Sequence, residues 1–277
     1  MILAFLAMEL SLGLLDIIVK INPLAKRINM VTCEYHGRTG NNIFQYVFAR
    51  LLAEKNGLEM CTPWCASDFI QMTRPKLGSK HDSPVVEVND LYYDQHGVDW
   101  FSKAYQGKRV KCSGFFQHPM YYDGSRNVIR EYFQLPPVSK RPNEHVVMHV
   151  RLTDYADPGL RSVINPNWYG KILYSLHFNR QRMKLYIVTD EPGSNYHRAF
   201  FPFQPKIVSR SPKEDFNFIR EFNTILCGNS SFSWWASWLS DAQRIFTFEK
   251  WMREPHGQKI MLAHTNRAKA VQGDWLH

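Results

Sequence analysis

From Val31 onward, short apolar runs alternate with stretches whose apolar residues recur at helical spacing. VTCEY at 31–35 reads as a strand, and HGRTGNN at 36–42 reads as a tight loop. The next stretch, IFQYVFARLLAEKNG, places Phe44, Phe48, Leu51 and Leu52 on one helical face and stops at Gly57. RVKCSGFF at 109–116 predicts another strand, and MYYDGSRNVIREYF carries a helix. Residues 58–108 show no comparably clean period. Pro136, Pro137 and Pro142, set among polar residues, mark a linker.

Beyond that linker the rhythm is cleaner. HVVMHVR at 145–151 is a buried strand, PNWYGKILYSLHFNRQ at 166–181 a helix, and LYIVTD at 185–190 a strand ending in the carboxylate of Asp190. KIVS at 206–209 is a third strand. Ser211, Pro212 and Glu214 then form a capping box with proline at the first helical position. TILCG is a fourth strand, and CGNSSFSWWASWL at 227–239 opens a further helix. Alternation of this kind builds parallel sheets covered by helices, so the fold class is α/β. The pattern divides the chain into an extension at 1–29, one α/β unit at 30–138 and another at 139–277.

Composition narrows the function classes. With 44% hydrophobic and 21% charged residues among 277, the chain is an ordinary globular protein with enough length for a substantial core. Its net charge of +9 is spread along the sequence, with no concentrated basic stripe interleaved with aromatics, which argues against a nucleic-acid binder. A basic cleft for an anionic small molecule fits that charge. The five cysteines (Cys33, Cys61, Cys65, Cys112, Cys227) lack the His or second Cys pair of a zinc site and read as reduced, mostly buried thiols. They point to a reducing, cytoplasmic setting. Residues 2–19 are apolar, but Glu9 and Asp16 interrupt them and the basic residues Lys20, Lys26 and Arg27 follow rather than precede. That polarity is opposite to a signal peptide or type II anchor. The stretch reads as an amphipathic, membrane-peripheral helix or as an extension ahead of a start at Met30.

Four segments fall where open α/β sheets gather ligands, at the carboxyl ends of strands. Gly37 and Gly40 permit a sharp turn and close backbone approach before a helix N-terminus, where free amides attract anions. His149 and Arg151 lie two apart on a strand and share a side of the sheet, with Asp154 one turn on. Arg151 there either grips a phosphate with its forked donors or pairs with Asp154 to close the strand end. Glu214 and Asp215 enrich a helix N-terminus, which the helix dipole alone accounts for. Asn229, Ser230 and Ser231 sit at a strand-to-helix junction, able to cap the helix and to offer hydroxyls and amides to an anion. Trp234, Trp235 and Trp238 read as core. Together these segments make an anion clamp, without a metal-ligand cluster or a Walker lysine.

GRTGNNIFQYVFARLLA, GFFQHPMYY…IREYF, HVRLTDY, LYIVTDEP and EDFNFIREFNTILCGNSSFSWWASWL occur in the order and rough spacing of the α-1,2-fucosyltransferase family, glycosyltransferase family 11. The resemblance runs from about Val31 to Trp251 and extends to the wider superfamily with an H-x-R-x-x-D motif. It implies a GT-B-like fold, two Rossmann-type domains facing a cleft, with the donor held mainly by the C-terminal one. It implies a metal-independent, inverting transfer of L-fucose from GDP-L-fucose to a glycan hydroxyl, with no cofactor beyond the nucleotide-sugar donor. By the same resemblance, Arg151 grips the diphosphate, His149 and Asp215 contact the base, and Ser230 and Ser231 donate to phosphate. Asn41 faces the sugar and acceptor from the other domain. The donor-side set also takes in Asn229, Gly37, Gly40 and Asp190. Asp154 or Asp157 supplies the general base, with Asp154 preferred. One departure is Leu152, where the family usually carries a second arginine. Its replacement either removes a phosphate contact, which Arg38 or Arg161 then supplies, or marks a different nucleotide sugar such as a xylosyl or rhamnosyl donor. A non-catalytic carbohydrate- or nucleotide-binding protein is the reading from another class.

Overall fold

The computed structural model describes residues 30–62, 85–89, 105, 108–159, 162–249 and 268–276. The expectations for residues 1–29, Cys65 and Arg161 lie outside the described residues. Two compact units emerge: the first holds the described parts of 30–33, 49–63 and 74–113, and the second those of 34–48 and 114–276. The units therefore do not divide at 138/139, because residues 34–48 and 114–138 group with the C-terminal sheet. The proline-marked stretch is no free linker. Lys140 Nζ donates to Arg220 O at 3.1 Å, Arg220 Nη1 donates to Pro136 O at 3.2 Å, and Arg141 pairs with Glu221 at 2.7 Å.

In the first unit, β1 (Met30–Cys33), β2 (Glu59–Met60), β3 (Val85–Val88) and β4 (Arg109–Cys112) form a parallel sheet in the order β2-β1-β4-β3. β1 and β4 alternate half-buried with buried positions, as a period of two requires. Among the described residues, Cys33, Cys61, Cys112 and Cys227 form no disulfide; all but Cys61 are buried.

The second unit is built on six parallel strands: β5 (His145–Val150), β6 (Lys184–Thr189), β7 (Lys206–Val208), β8 (Thr224–Gly228), β9 (Arg244–Phe248) and β10 (Lys269–Val271). β5, β6 and β8 are near-continuous buried runs because helices cover both faces of a parallel sheet. The order β10-β9-β8-β5-β6-β7 becomes 3-2-1-4-5-6 when numbered from β5 and read from β7, the dinucleotide-binding order. Its winding reverses between β5 and β8.

Five α-helices are described: α1 (Thr39–Asn56), α2 (Arg126–Glu131), α3 (Pro166–Ser175), α4 (Pro212–Arg220) and α5 (Ser231–Leu239). α1 starts earlier than expected, so Gly40 and Asn41 lie in its first turn rather than in a loop. α3 ends six residues short of 181: His177 turns left-handed (φ 51°), and Phe178 folds onto Phe203 at 5.7 Å. The crossover from β6 to β7 is a 3-10 segment, Asn195–Phe203, with Pro202 inside it. The capping box is present, Ser211 Oγ accepting from Glu214 N and Glu214 accepting from Ser211 N. α5 is buried from Ser233 to Leu239; Trp234 and Trp235 pack on Phe44 at 5.0 and 4.7 Å, and Trp238 stacks on Trp234. Its hydroxyls at Ser233 and Ser237 bond back to carbonyls one turn earlier, which satisfies them inside the core. None of the helices among the described residues is long and apolar enough to cross a membrane.

Candidate active site

At the carboxyl ends of β5, β6, β7 and β8, where the winding reverses, the second unit contains a cavity of about 320 Å³. Open α/β sheets place ligands at this switch point. The first turns of α1, α4 and α5 all contribute to its wall, so three positive helix ends converge on one space. Arg38, Arg151 and Arg210 line it against Asp154, Asp190 and Asp215.

Arg151 is held by two carboxylates. Its Nε donates to Asp154 Oδ1 at 2.8 Å and its Nη1 pairs with Asp190 Oδ2 at 2.8 Å, while its buried Nη2 has no partner. The ion pair with Asp154 and the anion grip are thus compatible: two nitrogens are tethered and the third is free. A buried, unsatisfied donor costs about 1–3 kcal/mol, a cost that an incoming anion removes. Asp190 also accepts from the Leu152 amide at 2.9 Å and from Thr153 Oγ1. Burial opposes its charge, but these bonds and Arg151 outweigh burial and hold its carboxyl below the ordinary range. Asp190 lines the cavity chiefly as the brace of Arg151. Leu152 points the other way and is 6% exposed within the core, so it leaves no gap in the cavity wall.

His149 is buried with an unpartnered Nδ1, its ring 5.6 Å from Phe232. Burial pulls its pKa down to about 4, with Asp190 a smaller opposing influence, so the imidazole is neutral near pH 7. Because the folded value lies below the unfolded 6.5, its stability contribution is complete above 6.5 and is lost as pH falls toward 4. At pH 5 the loss is about 2 kcal/mol. Urea unfolding of His149→Gln at pH 7 and pH 5 should show a stability difference smaller than wild type by about that amount.

Glu214 and Asp215 separate in role. Glu214 closes the capping box, whereas Asp215 turns into the cavity, Oδ2 accepting from Arg210 N at 3.1 Å and buried Oδ1 having no partner. Burial raises its pKa more than the Arg210 amide and charge lower it. A carboxylate oxygen left open there suits a ligand edge bearing N–H donors.

Ser230 is the N-cap of α5, but no side chain caps the helix, so its first-turn amides are not claimed by a serine hydroxyl. Ser231 Oγ donates to Asn41 Oδ1 at 2.8 Å, which commits its proton and leaves its amide as the donor toward the cavity. Gly40 lies against this turn: a Cβ there would stand 2.4 Å from Phe232 N and 2.6 Å from Ser231 C. Gly37 has φ +77°, and a Cβ on it would meet Asn41 Nδ2 at 2.3 Å.

Most expected residues meet here: Gly37, Gly40, Asn41, His149, Arg151, Asp154, Asp190, Asp215, Ser230 and Ser231 all line the cavity. Asn229 does not. Its Nδ2 donates to Ser162 O at 3.0 Å and its carbonyl accepts from Tyr155 OH, so it ties the loop after β5 to the turn after β8. Asp157 is exposed and caps its own turn through Gly159 N at 2.7 Å, outside the cavity lining. Asn41 was expected across a domain cleft but belongs to the same unit as the rest. Arg38 does line the cavity, its Nε 3.7 Å from Asp154 Oδ2. Sequence reasoning missed Ser209, Arg210, Thr189 and Phe232. The strand-end rule applied to KIVSR would have found Ser209 and Arg210. Arg210 stacks over Phe218 at 4.4 Å beside Asp215. Among the described residues, no group of three or more His, Cys, Asp or Glu side chains is arranged to hold a metal ion.

No protein-family model matches the chain. It is 24% identical over 251 residues to galactoside alpha-(1,2)-fucosyltransferase 2 of Sus scrofa, covering 78% of this chain and 72% of that protein. Among solved structures, an arginine-to-lysine mutant of Arabidopsis thaliana FUT1 in complex with GDP is similar at TM-score 0.51 and 8% identity, over 81% of this chain and 72% of that one. Fucosyltransferase NodZ from Bradyrhizobium is similar at TM-score 0.49 and 12% identity, over 78% and 94%. The likeness to FUT1 shows a shared fold, two Rossmann-like α/β units of the GT-B type. The curated relative bears out the resemblance to the α-1,2-fucosyltransferases.

Proposed function

We propose that this chain, a relative of the α-1,2-fucosyltransferases, transfers L-fucose from GDP-L-fucose to a glycan hydroxyl with inversion and without a metal. The observation that carries the reading is Arg151, braced by Asp154 and Asp190 with Nη2 free, at the switch point beside the uncapped start of α5. In this reading the diphosphate lies between Nη2 and the first-turn amides of α5. As the C1–O bond to phosphate breaks, the electron pair leaves with GDP, and those donors stabilise the charge that builds there. The acceptor oxygen bonds C1 from the opposite face and gives up its proton. Asp154 Oδ2, the oxygen not bonded to Arg151, receives it. The open Oδ1 of Asp215 accepts from the N–H edge of guanine, and neutral His149 packs beside it.

The test is transfer itself: GDP-L-fucose with a galactoside such as lactose, with product anomer read by NMR. An α-fucosylated product supports the reading. GDP binding without transfer or hydrolysis favours a non-catalytic nucleotide-binding protein. Leu152 in place of the family's second arginine is the observation that sustains another donor, and turnover confined to a UDP-sugar in the same assay would establish it. Asp190→Asn should lower turnover about 10²-fold, since Arg151 loses one of two tethers and misplacement near 1 Å carries a penalty of that size.

A further inference from the structure

Asn41 is gripped by a side chain that is not itself part of the cavity wall, and the geometry points to Gln117 as the positioning residue that sets which edge of the Asn41 amide meets the donor. This rests on the nucleotide-sugar reading of the cavity. Asn41 Oδ1 accepts from Gln117 Nε2 at 2.8 Å and from Ser231 Oγ at 2.8 Å, so both of its lone pairs are used. Nδ2 lies on the other side, in the space that a side chain at Gly37 would fill. Gly37 and Asn41 both line the cavity. The amide therefore offers N–H donors and no acceptor to the bound substrate. Donors suit phosphate or sugar oxygens; the reversed amide would set a carbonyl against a diphosphate. Ser231 alone cannot choose, because a hydroxyl donates or accepts equally well. With Nε2 turned toward Asn41, as it stands, Gln117 donates, so the Asn41 edge is set for as long as Gln117 keeps its own Nε2 inward.

The backbone holds Gln117 to this task. Phe116, just before it, is left-handed at φ 53°, a conformation that L side chains adopt only where the surroundings impose it. Phe116 is fully buried, stacks on Phe48 with ring centroids 4.0 Å apart, and accepts from Tyr122 OH through its carbonyl. That turn brings Gln117 inward, 8% exposed, to a partner 76 residues away in sequence.

A double-mutant cycle separates positioning from plain support. Single-turnover release of GDP from GDP-L-fucose, with lactose or water as acceptor, is measured for wild type, Gln117→Ala, Asn41→Ala and the double variant. Gln117→Ala should slow release about 10-fold in wild type and cause no further slowing in Asn41→Ala. Gln117→Glu, isosteric but without a donor when ionised, should slow it at least as much while a cooperative melting transition is retained. An equal factor from Gln117→Ala in both backgrounds, or full activity in Gln117→Glu, overturns the inference while leaving the site reading intact. Wild type that binds no GDP, or binds it and releases none from GDP-L-fucose, removes the nucleotide-sugar reading itself and this inference with it.

Discussion

Arg151→Ala should lower transfer about 10³-fold, equivalent to about 4 kcal/mol of transition-state stabilisation, while the protein remains folded. The size follows from where the side chain is held. Two of its three nitrogens are fixed by carboxylates, so the third needs no reorganisation when charge develops on the leaving diphosphate. The fold survives because the two carboxylates keep other partners. Asp190 retains the Leu152 amide and Thr153, and Asp154 is partly solvated with Arg38 nearby. Arg151→Lys should recover little, since an ammonium cannot meet Asp154 and Asp190 at once and still present a free donor. Stopped-flow or discontinuous turnover, paired with thermal melting, checks both halves. Loss of activity together with loss of the melting transition would mean that Arg151 is a structural brace.

Gly40→Ala should be the most disruptive small substitution in the second unit. The added methyl would stand 2.4 Å from Phe232 N, a backbone atom of a helix anchored by three buried indoles. That helix cannot retreat without unseating Trp234 and Trp235 from Phe44. Overpacking of this kind typically costs about 1–3 kcal/mol. Because the same turn carries Ser231 and the α5 amides, GDP affinity should fall at least about tenfold along with stability. Gly57→Ala, just past the end of α1, is the matched control: its φ is +61°, but no atom lies within 4 Å of the added methyl. It should lose stability through backbone strain and keep its GDP affinity. Chemical denaturation and calorimetry on the two variants distinguish a moved helix from a merely weakened one.

The sequence carried the sheet of the second unit well, because HVVMHV, LYIVT and TILCG are short, β-branched apolar runs between helical stretches, as covered parallel strands are. The Ser211–Glu214 capping box was equally legible, being a local pattern with a local cause. Most of the residues that line the cavity were visible because strand ends and helix starts are marked by residue type. What stayed hidden depends on distance along the chain. Asn41 meets Ser231 across 190 residues and Gln117 across 76, and no local period announces such pairs. Asn229 looked like its serine neighbours by position, yet its amide is used up on Ser162. Glu214 and Asp215 shared one explanation in the sequence, and only the direction of each side chain separates cap from ligand contact. The grouping of 114–138 with the C-terminal sheet goes with long-range contacts such as Arg126 to Ser240 O, Arg130 to Asp241 and Phe133 on Trp235, which prolines on paper do not reveal.

In the proposed reaction, the cavity at the β5–β8 switch point receives a guanosine diphosphate through Arg151, α5 and Asp215. Isothermal titration of GDP and UDP into wild type and Arg151→Ala is the deciding measurement. One GDP site per chain is expected, binding clearly tighter than UDP, with at least about a tenfold weakening in Arg151→Ala. Undetectable GDP binding, UDP binding as tight as GDP, or an unchanged affinity in Arg151→Ala would contradict it.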